Sequence, residues 1–132
     1  MIFKEGDLFE QTFTVSTEIY SDFIRLSNDK NPLHTDRGYA QEKGFEDVVM
    51  HGNILNAFIS YFIGECLPIK DVLIHSQEIQ FKNPVYKGTI LQFSAEIAGI
   101  YESVNVVEFR YNFKNEALKV VAKGKVQIGL LK

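Results

Sequence analysis

Apolar and polar positions alternate along the start of the chain: Phe9, Gln11, Phe13 and Val15 are separated by Glu10, Thr12, Thr14 and Ser16. A period of two predicts a strand with one wet face. The period then lengthens. Ile19, Phe23 and Leu26 share one face of a helix predicted over about Glu18 to Asn28, with Ser16 or Thr17 as its cap. A second short helix is predicted from Arg37 to Lys43, opened by Asp36 and stopped by Gly44. From Gly52 to Cys66 the chain is apolar nearly all round, at Ile54, Leu55, Ala57, Phe58, Ile59, Tyr61, Phe62 and Ile63. Such a helix is buried. Its polar or small residues Asn53, Asn56, Ser60 and Gly64 form one stripe, which lines a ligand channel, permits close approach of a partner helix, or only eases packing against the sheet.

The second half of the chain is strand-like. Residues 71 to 83 form one extended run whose alternation is blurred at His75 and Gln77. Leu91, Phe93, Ala95 and Ile97 then alternate with polar residues, as do Val107, Phe109, Tyr111 and Phe113. Leu118, Val120, Ala122, Val126 and Ile128 face one way in the last run. Four consecutive strands predict an antiparallel meander, turning at Glu102-Ser103 and Lys114-Asn115. The whole order predicts an α+β fold, a sheet of about five strands around one apolar helix. Other single-helix α+β folds share this pattern.

At 132 residues, positions 1–132 are expected to form a single domain with a real core. The net charge is -3 and the basic residues are scattered, which argues against nucleic acid or a membrane surface as partner. The apolar stretch Ile54 to Leu67 is interrupted and too short to span a bilayer, and no signal-peptide pattern follows the charged start. A cytoplasmic location is expected. Cys66 is the single cysteine, so no internal disulfide forms. Its neighbours supply no activating base, and it reads as a small apolar residue near a helix end.

Chemistry concentrates in Asp29-Lys30-Asn31-Pro32-Leu33-His34. Pro32 lacks an amide hydrogen and disfavours helical geometry at Asn31, so the segment is expected to be a loop. A carboxylate, an amide and an imidazole in one loop are the parts needed to activate a water molecule. Asn-Pro is also ordinary turn chemistry. Further on, His51-Gly52 opens the apolar helix. Together the two segments resemble the active-site motif of the MaoC-like, (R)-specific enoyl thioester hydratases, which reads Asp-x-Asn-Pro-x-His followed by His-Gly at a helix start. Leu26-Ser27, Pro68, and Phe81-Lys82-Asn83-Pro84-Val85 with Gly88 extend the resemblance over most of the chain. Asn28 and Thr89 depart from it, standing where many members have glycine and an acidic residue. They leave the subfamily, and so the acyl group, open.

The resemblance implies a hotdog fold and (R)-specific hydration of trans-2-enoyl thioesters of coenzyme A or acyl carrier protein, or the reverse dehydration. Asp29, His34 and Asn31 are the implied water-activating residues. Gly52 is the implied oxyanion donor, at a helix start where amides are unpaired and the dipole end is positive. His51, Asn53, Asn56 and Phe58 are candidate substrate contacts. Phe58, Tyr61 and Phe62 are candidates to close the channel against long acyl chains, and Lys82 and Lys87 read as solvated strand ends. A homodimer or higher homo-oligomer is implied, with no cofactor. No metal is expected either, because His34, His51 and His75 lack ligand spacing. The rival readings are a hotdog thioester hydrolase and a non-catalytic acyl-thioester-binding subunit.

Overall fold

The computed structural model describes residues 2–132. Strand β1, Leu8–Thr14, is followed by helix α1, Thr17–Ser27. The Ser16 side chain accepts from the Ile19 amide at 3.1 Å, so Ser16 is the cap. Asn28 closes the helix at φ 56°, a left-handed geometry that glycine favours and asparagine tolerates. That accounts for one of the two departures from the family motif. Leu26, expected inward, is 83% exposed. The helix instead buries Tyr20 and half-buries Ile19, Phe23 and Ile24, so it is rolled toward Tyr20.

The segment expected to be a loop carries a turn of helix, α2, Pro32–Thr35. Proline at the first helical position loses no bond, and its fixed φ suits the helix. Asn31 stays extended before it, and its side chain caps the turn by accepting from the Leu33 amide at 2.9 Å. Helix α3, Arg37–Glu42, starts on Asp36 and is followed by Gly44 at φ +94°, as the sequence predicts.

The apolar helix is α4, Asn53–Tyr61, which widens into a π turn over Phe62–Cys66. It is not buried all round. Ile54, Leu55, Phe58, Ile59 and Phe62 are buried against the sheet, while Asn53, Ala57, Ser60 and Tyr61 are exposed. The predicted stripe thus faces out of the protomer.

Strands β2, Val72–Phe81, β3, Ile90–Tyr101, β4, Val106–Lys114, and β5, Val120–Leu130, complete one five-stranded sheet. Its order is β1-β3-β4-β5-β2, with every pairing antiparallel. Only β3, β4 and β5 form the expected meander. β2 pairs with β5 at the far edge, and the chain returns to β3 through residues 82–89. That return is tied to Met50 by its amide on Val85 O at 2.8 Å, and to Val15 by the Gly88 amide at 2.7 Å. A bulge between Ile74 and Ser76 switches the inward residues of β2 from Val72 and Ile74 to Gln77 and Ile79. The extra residue is His75, which explains the blurred alternation; His75 itself is exposed. Leu118, expected inward, sits in the β4–β5 turn at φ 62° and is 73% exposed.

The sheet wraps the inner face of α4 around an aromatic core. Phe13 and Phe58 stack at 4.5 Å, and Phe62, Phe93 and Phe113 pack beside them at 5.0 and 4.9 Å. This is the sheet-around-helix arrangement that the sequence predicts.

Candidate active site

The start of α4 is the fixed point of the site. The Ile54 and Leu55 amides turn back onto His51 O and Gly52 O, at 3.1 and 3.0 Å. The Gly52 and Asn53 amides have no acceptor among the described residues. They are two free donors at the positive end of a helix, suited to an oxygen that gains negative charge. They open on a cavity of about 460 Å³ walled by Phe45, Val49 and Asn53 on one side and Phe81 to Val85 on the other. Glycine at 52 leaves room for the Phe81 ring: a Cβ there would lie 2.8 Å from it and displace it.

His34 reaches this region by a tether to the segment before α4. Its Nδ1 lies 2.6 Å from Val49 O. A carbonyl only accepts, so Nδ1 carries the hydrogen and, in the neutral ring, Nε2 is a bare lone pair. Nε2 lies 3.7 Å from Asp29 Oδ2, beyond a direct hydrogen bond. The other carboxylate oxygen is held by the Asn31 amide at 3.1 Å, a turn that fixes the plane of the carboxylate. The Asp29 side chain is 48% exposed and that of His34 17%, so the gap between them opens to solvent. Asp29, Asn31 and His34 do not line the cavity, and His34 is joined to its wall through Val49 O.

His51 lies behind this pair. It is buried, with its ring 3.8 Å from that of His34 and 22° from parallel. Its Nε2 donates to Asp29 O at 2.9 Å, so one imidazole backs the ring of His34 and the backbone of Asp29 together. Its Nδ1 is buried without a partner, at a cost of about 1–3 kcal/mol. His51 is therefore a support of the pair. Asp29, His34 and His51 each offer a ligand atom, all within 4.8 Å of one another. The geometry does not suit a chelate: lone pairs of two nearly parallel rings run side by side and do not converge. One nitrogen of each ring is bonded to a carbonyl, which leaves His34 Nε2 and His51 Nδ1 as the free nitrogens.

The remaining predicted residues divide. Asn53 lines the cavity, and its Oδ1 accepts from Asn56 Nδ2 at 2.8 Å, while Asn56 accepts in turn from Gln77 Nε2. Phe58 lies in the core, 6% exposed, and not at the site. Phe62 is likewise in the core, and Tyr61 is on the open face. Lys82 lines the cavity, whereas Lys87 sits 4.7 Å above the Tyr20 ring. The sequence reading missed Tyr20, whose hydroxyl donates to His34 O at 2.6 Å, and it missed the Val49 carbonyl. An amphipathic helix hides such a tyrosine among its core residues, and a backbone acceptor leaves no mark in composition.

A sheet rolled on one helix defines a hotdog protein, and here a carboxylate–imidazole pair stands near free amides at the helix start. The chain belongs to the MaoC-like domain family: the family model, described as MaoC like domain, matches residues 3–117. It is 30% identical over 126 residues to a mitochondrial 3-hydroxyacyl-[acyl-carrier-protein] dehydratase of Arabidopsis thaliana, covering 93% of this chain and 75% of that protein. It is 35% identical over 80 residues to an (R)-specific enoyl-CoA hydratase of Aeromonas caviae, covering 61% and 60%. The fold matches the solved (R)-hydratase of A. caviae with a TM-score of 0.90 over 98% of both chains, at 24% identity.

Proposed function

We propose that this protein is a hydro-lyase that adds water to trans-2-enoyl thioesters to give (R)-3-hydroxyacyl thioesters, and catalyses the reverse dehydration. The observation that carries this reading is the gap between Asp29 Oδ2 and His34 Nε2 at 3.7 Å, with the His34 hydrogen committed to Val49 O. Two acceptors at that spacing are bridged by a water that donates one O–H to each. Such a water is oriented with its lone pairs outward, as a nucleophile requires.

The thioester carbonyl rests against the Gly52 and Asn53 amides. As the water oxygen bonds to C3, the Asp29–His34 pair takes its proton, and the electrons of the double bond move onto the carbonyl oxygen. The free amides stabilise that enolate. Removing a single donor of this kind costs about 2.7–4 kcal/mol. Collapse of the enolate takes the proton back from the pair at C2, so one water is consumed and the pair is restored. Asn31 holds the Asp29 carboxylate through its amide and caps α2 with its side chain. His51 holds the imidazole plane, while Asn53 and Asn56 border the acyl end. These steps draw only on residues of this chain and use no cofactor or metal.

The carrier is coenzyme A or acyl carrier protein, the two classes that the relatives' names carry. A homodimer is part of this reading. The β2 edge is unpaired, Leu73, Phe81 and Tyr61 are 56%, 53% and 52% exposed, and the open face of α4 lies alongside. A partner seated there encloses the acyl chain in a shared pocket, and a monomer at micromolar concentration by light scattering would remove that pocket. Among the described residues no helix is long and apolar enough to cross a membrane. With scattered charge and a single cysteine, a cytoplasmic single-domain enzyme is the reading we favour.

The test is absorbance at the enoyl thioester band with crotonyl-CoA, with free thiol assayed in parallel. Loss of the band without thiol release supports hydration. Thiol release identifies a hydrolase, and binding without either change identifies an acyl-binding subunit.

A further inference from the structure

Tyr20 belongs to neither motif and does not itself line the cavity, yet both carbonyls that its hydroxyl meets belong to the site. The hydroxyl donates to His34 O at 2.6 Å and lies 3.2 Å from Val49 O. Val49 O is the same oxygen that accepts from His34 Nδ1 at 2.6 Å, and the Val49 amide returns a bond to Leu33 O at 2.9 Å. We propose that Tyr20 is a positioning residue that clamps His34, backbone and ring together, to the segment leading into α4, and so sets the distance between the acid/base pair and the free amides. The proposal rests on the reading of His34 as half of that pair.

Three features make the clamp more than packing. The single hydroxyl proton goes mainly to the shorter bond, on His34 O, which pins the main chain of α2 directly below the ring it carries. The ring of Tyr20 is 2% exposed and meets the edge of His51 at 5.5 Å, so the residue that backs His34 is itself held in place by Tyr20. Lys87 stands over its outer face at 4.7 Å and couples the clamp to the 82–89 return. Burial and the Asp47 carboxylate push the Tyr20 hydroxyl up to about 12, so it remains a donor across any working pH. α1 is thereby rolled toward Tyr20 and away from Leu26. A clamp of this kind acts through placement of His34, where small displacements cost much rate.

The experiment uses Tyr20→Phe, which keeps the ring and its cation contact and removes the hydroxyl. Nitrogen-edited NMR of the imidazoles needs no substrate. In the native protein the His34 Nδ1–H signal should be slow to exchange, with a cross-peak to a protected Tyr20 hydroxyl proton. In the folded variant the His34 signal should broaden into solvent exchange. Turnover of crotonyl-CoA should fall about tenfold in kcat with KM unchanged. An unaltered imidazole signal and unaltered kcat in folded Tyr20→Phe would overturn the clamp. So would a native spectrum with no protected Tyr20 hydroxyl proton, a result that needs no variant and decides the matter even if Tyr20→Phe does not fold. If native protein leaves crotonyl-CoA and longer or carrier-bound enoyl thioesters unchanged while the NMR signals behave as described, the hydration reading fails and the clamp stands.

Discussion

The two faces of α4 are built from one short sequence and do opposite work. The inner face, Ile54, Leu55, Phe58, Ile59 and Phe62, is pressed into an aromatic cluster in which Phe13 stacks on Phe58 at 4.5 Å. The outer face, Asn53, Ala57, Ser60 and Tyr61, is exposed and carries an amide chain through Asn56 to Gln77. The difference teaches where an acyl chain can go. A filled aromatic core admits none, since close-packed side chains leave no room for it. In the proposed reaction the acyl group passes from the Gly52 amide along the open face, the face on which the proposed second protomer is seated.

The sharpest way to break this contrast is to cut into the inner face. Phe58→Ala should destabilise the fold by about 3–5 kcal/mol in denaturant unfolding, with kcat per folded molecule nearly unchanged. A selective loss of kcat at native stability would move Phe58 back among the substrate contacts. Next in size is Gly52→Ala, at the junction of the two faces. Its Cβ would meet the Phe81 ring at 2.8 Å, so kcat/KM should fall about tenfold, or 1.4 kcal/mol. Adding Phe81→Ala should recover part of that loss, because the two changes share one contact. On the outer face, Ala57→Arg should shift the mass in light scattering toward monomer while changing protomer stability by no more than about 0.5 kcal/mol.

The last effect appears only at high pH. Burial pushes both Tyr20 and Tyr111 up to about 12, above the ordinary tyrosine value of 10.0. A raised folded value means that stability is intact below pH 10 and falls between about 10 and 12, where only the unfolded chain ionises. Urea unfolding at pH 9 and 11 should show the decline, and Tyr111→Phe should reduce it.

Where the signal was local, the sequence was readable. Alternation marked β1, β3 and β4, Asp36 and Gly44 marked the ends of α3, and apolarity nearly all round marked α4. The misreadings have non-local causes. Nothing near β2 says that it pairs with β5 and not β3, because a strand's partner is chosen across the sheet. The bulge at His75 inverts parity in mid-strand, so a two-residue period cannot be followed through it. Leu26 and Leu118 are apolar but stand at a helix end and a turn tip, where hydrophobicity says little about direction. At the site, the motif put Asp29, Asn31, His34 and Gly52 on the page. It did not put His51 flat against His34, nor Tyr20 beneath both, because those contacts join α1, α2 and the start of α4.

The central claim is that Asp29 and His34 together activate one water beside the start of α4. Progress curves at the enoyl thioester band with crotonyl-CoA, for native protein against Asp29→Asn and His34→Ala of verified fold, test it most directly. Turnover by the native protein and a loss of about 10²- to 10⁴-fold in each variant is the predicted result. Native turnover that survives either substitution undiminished would contradict the account.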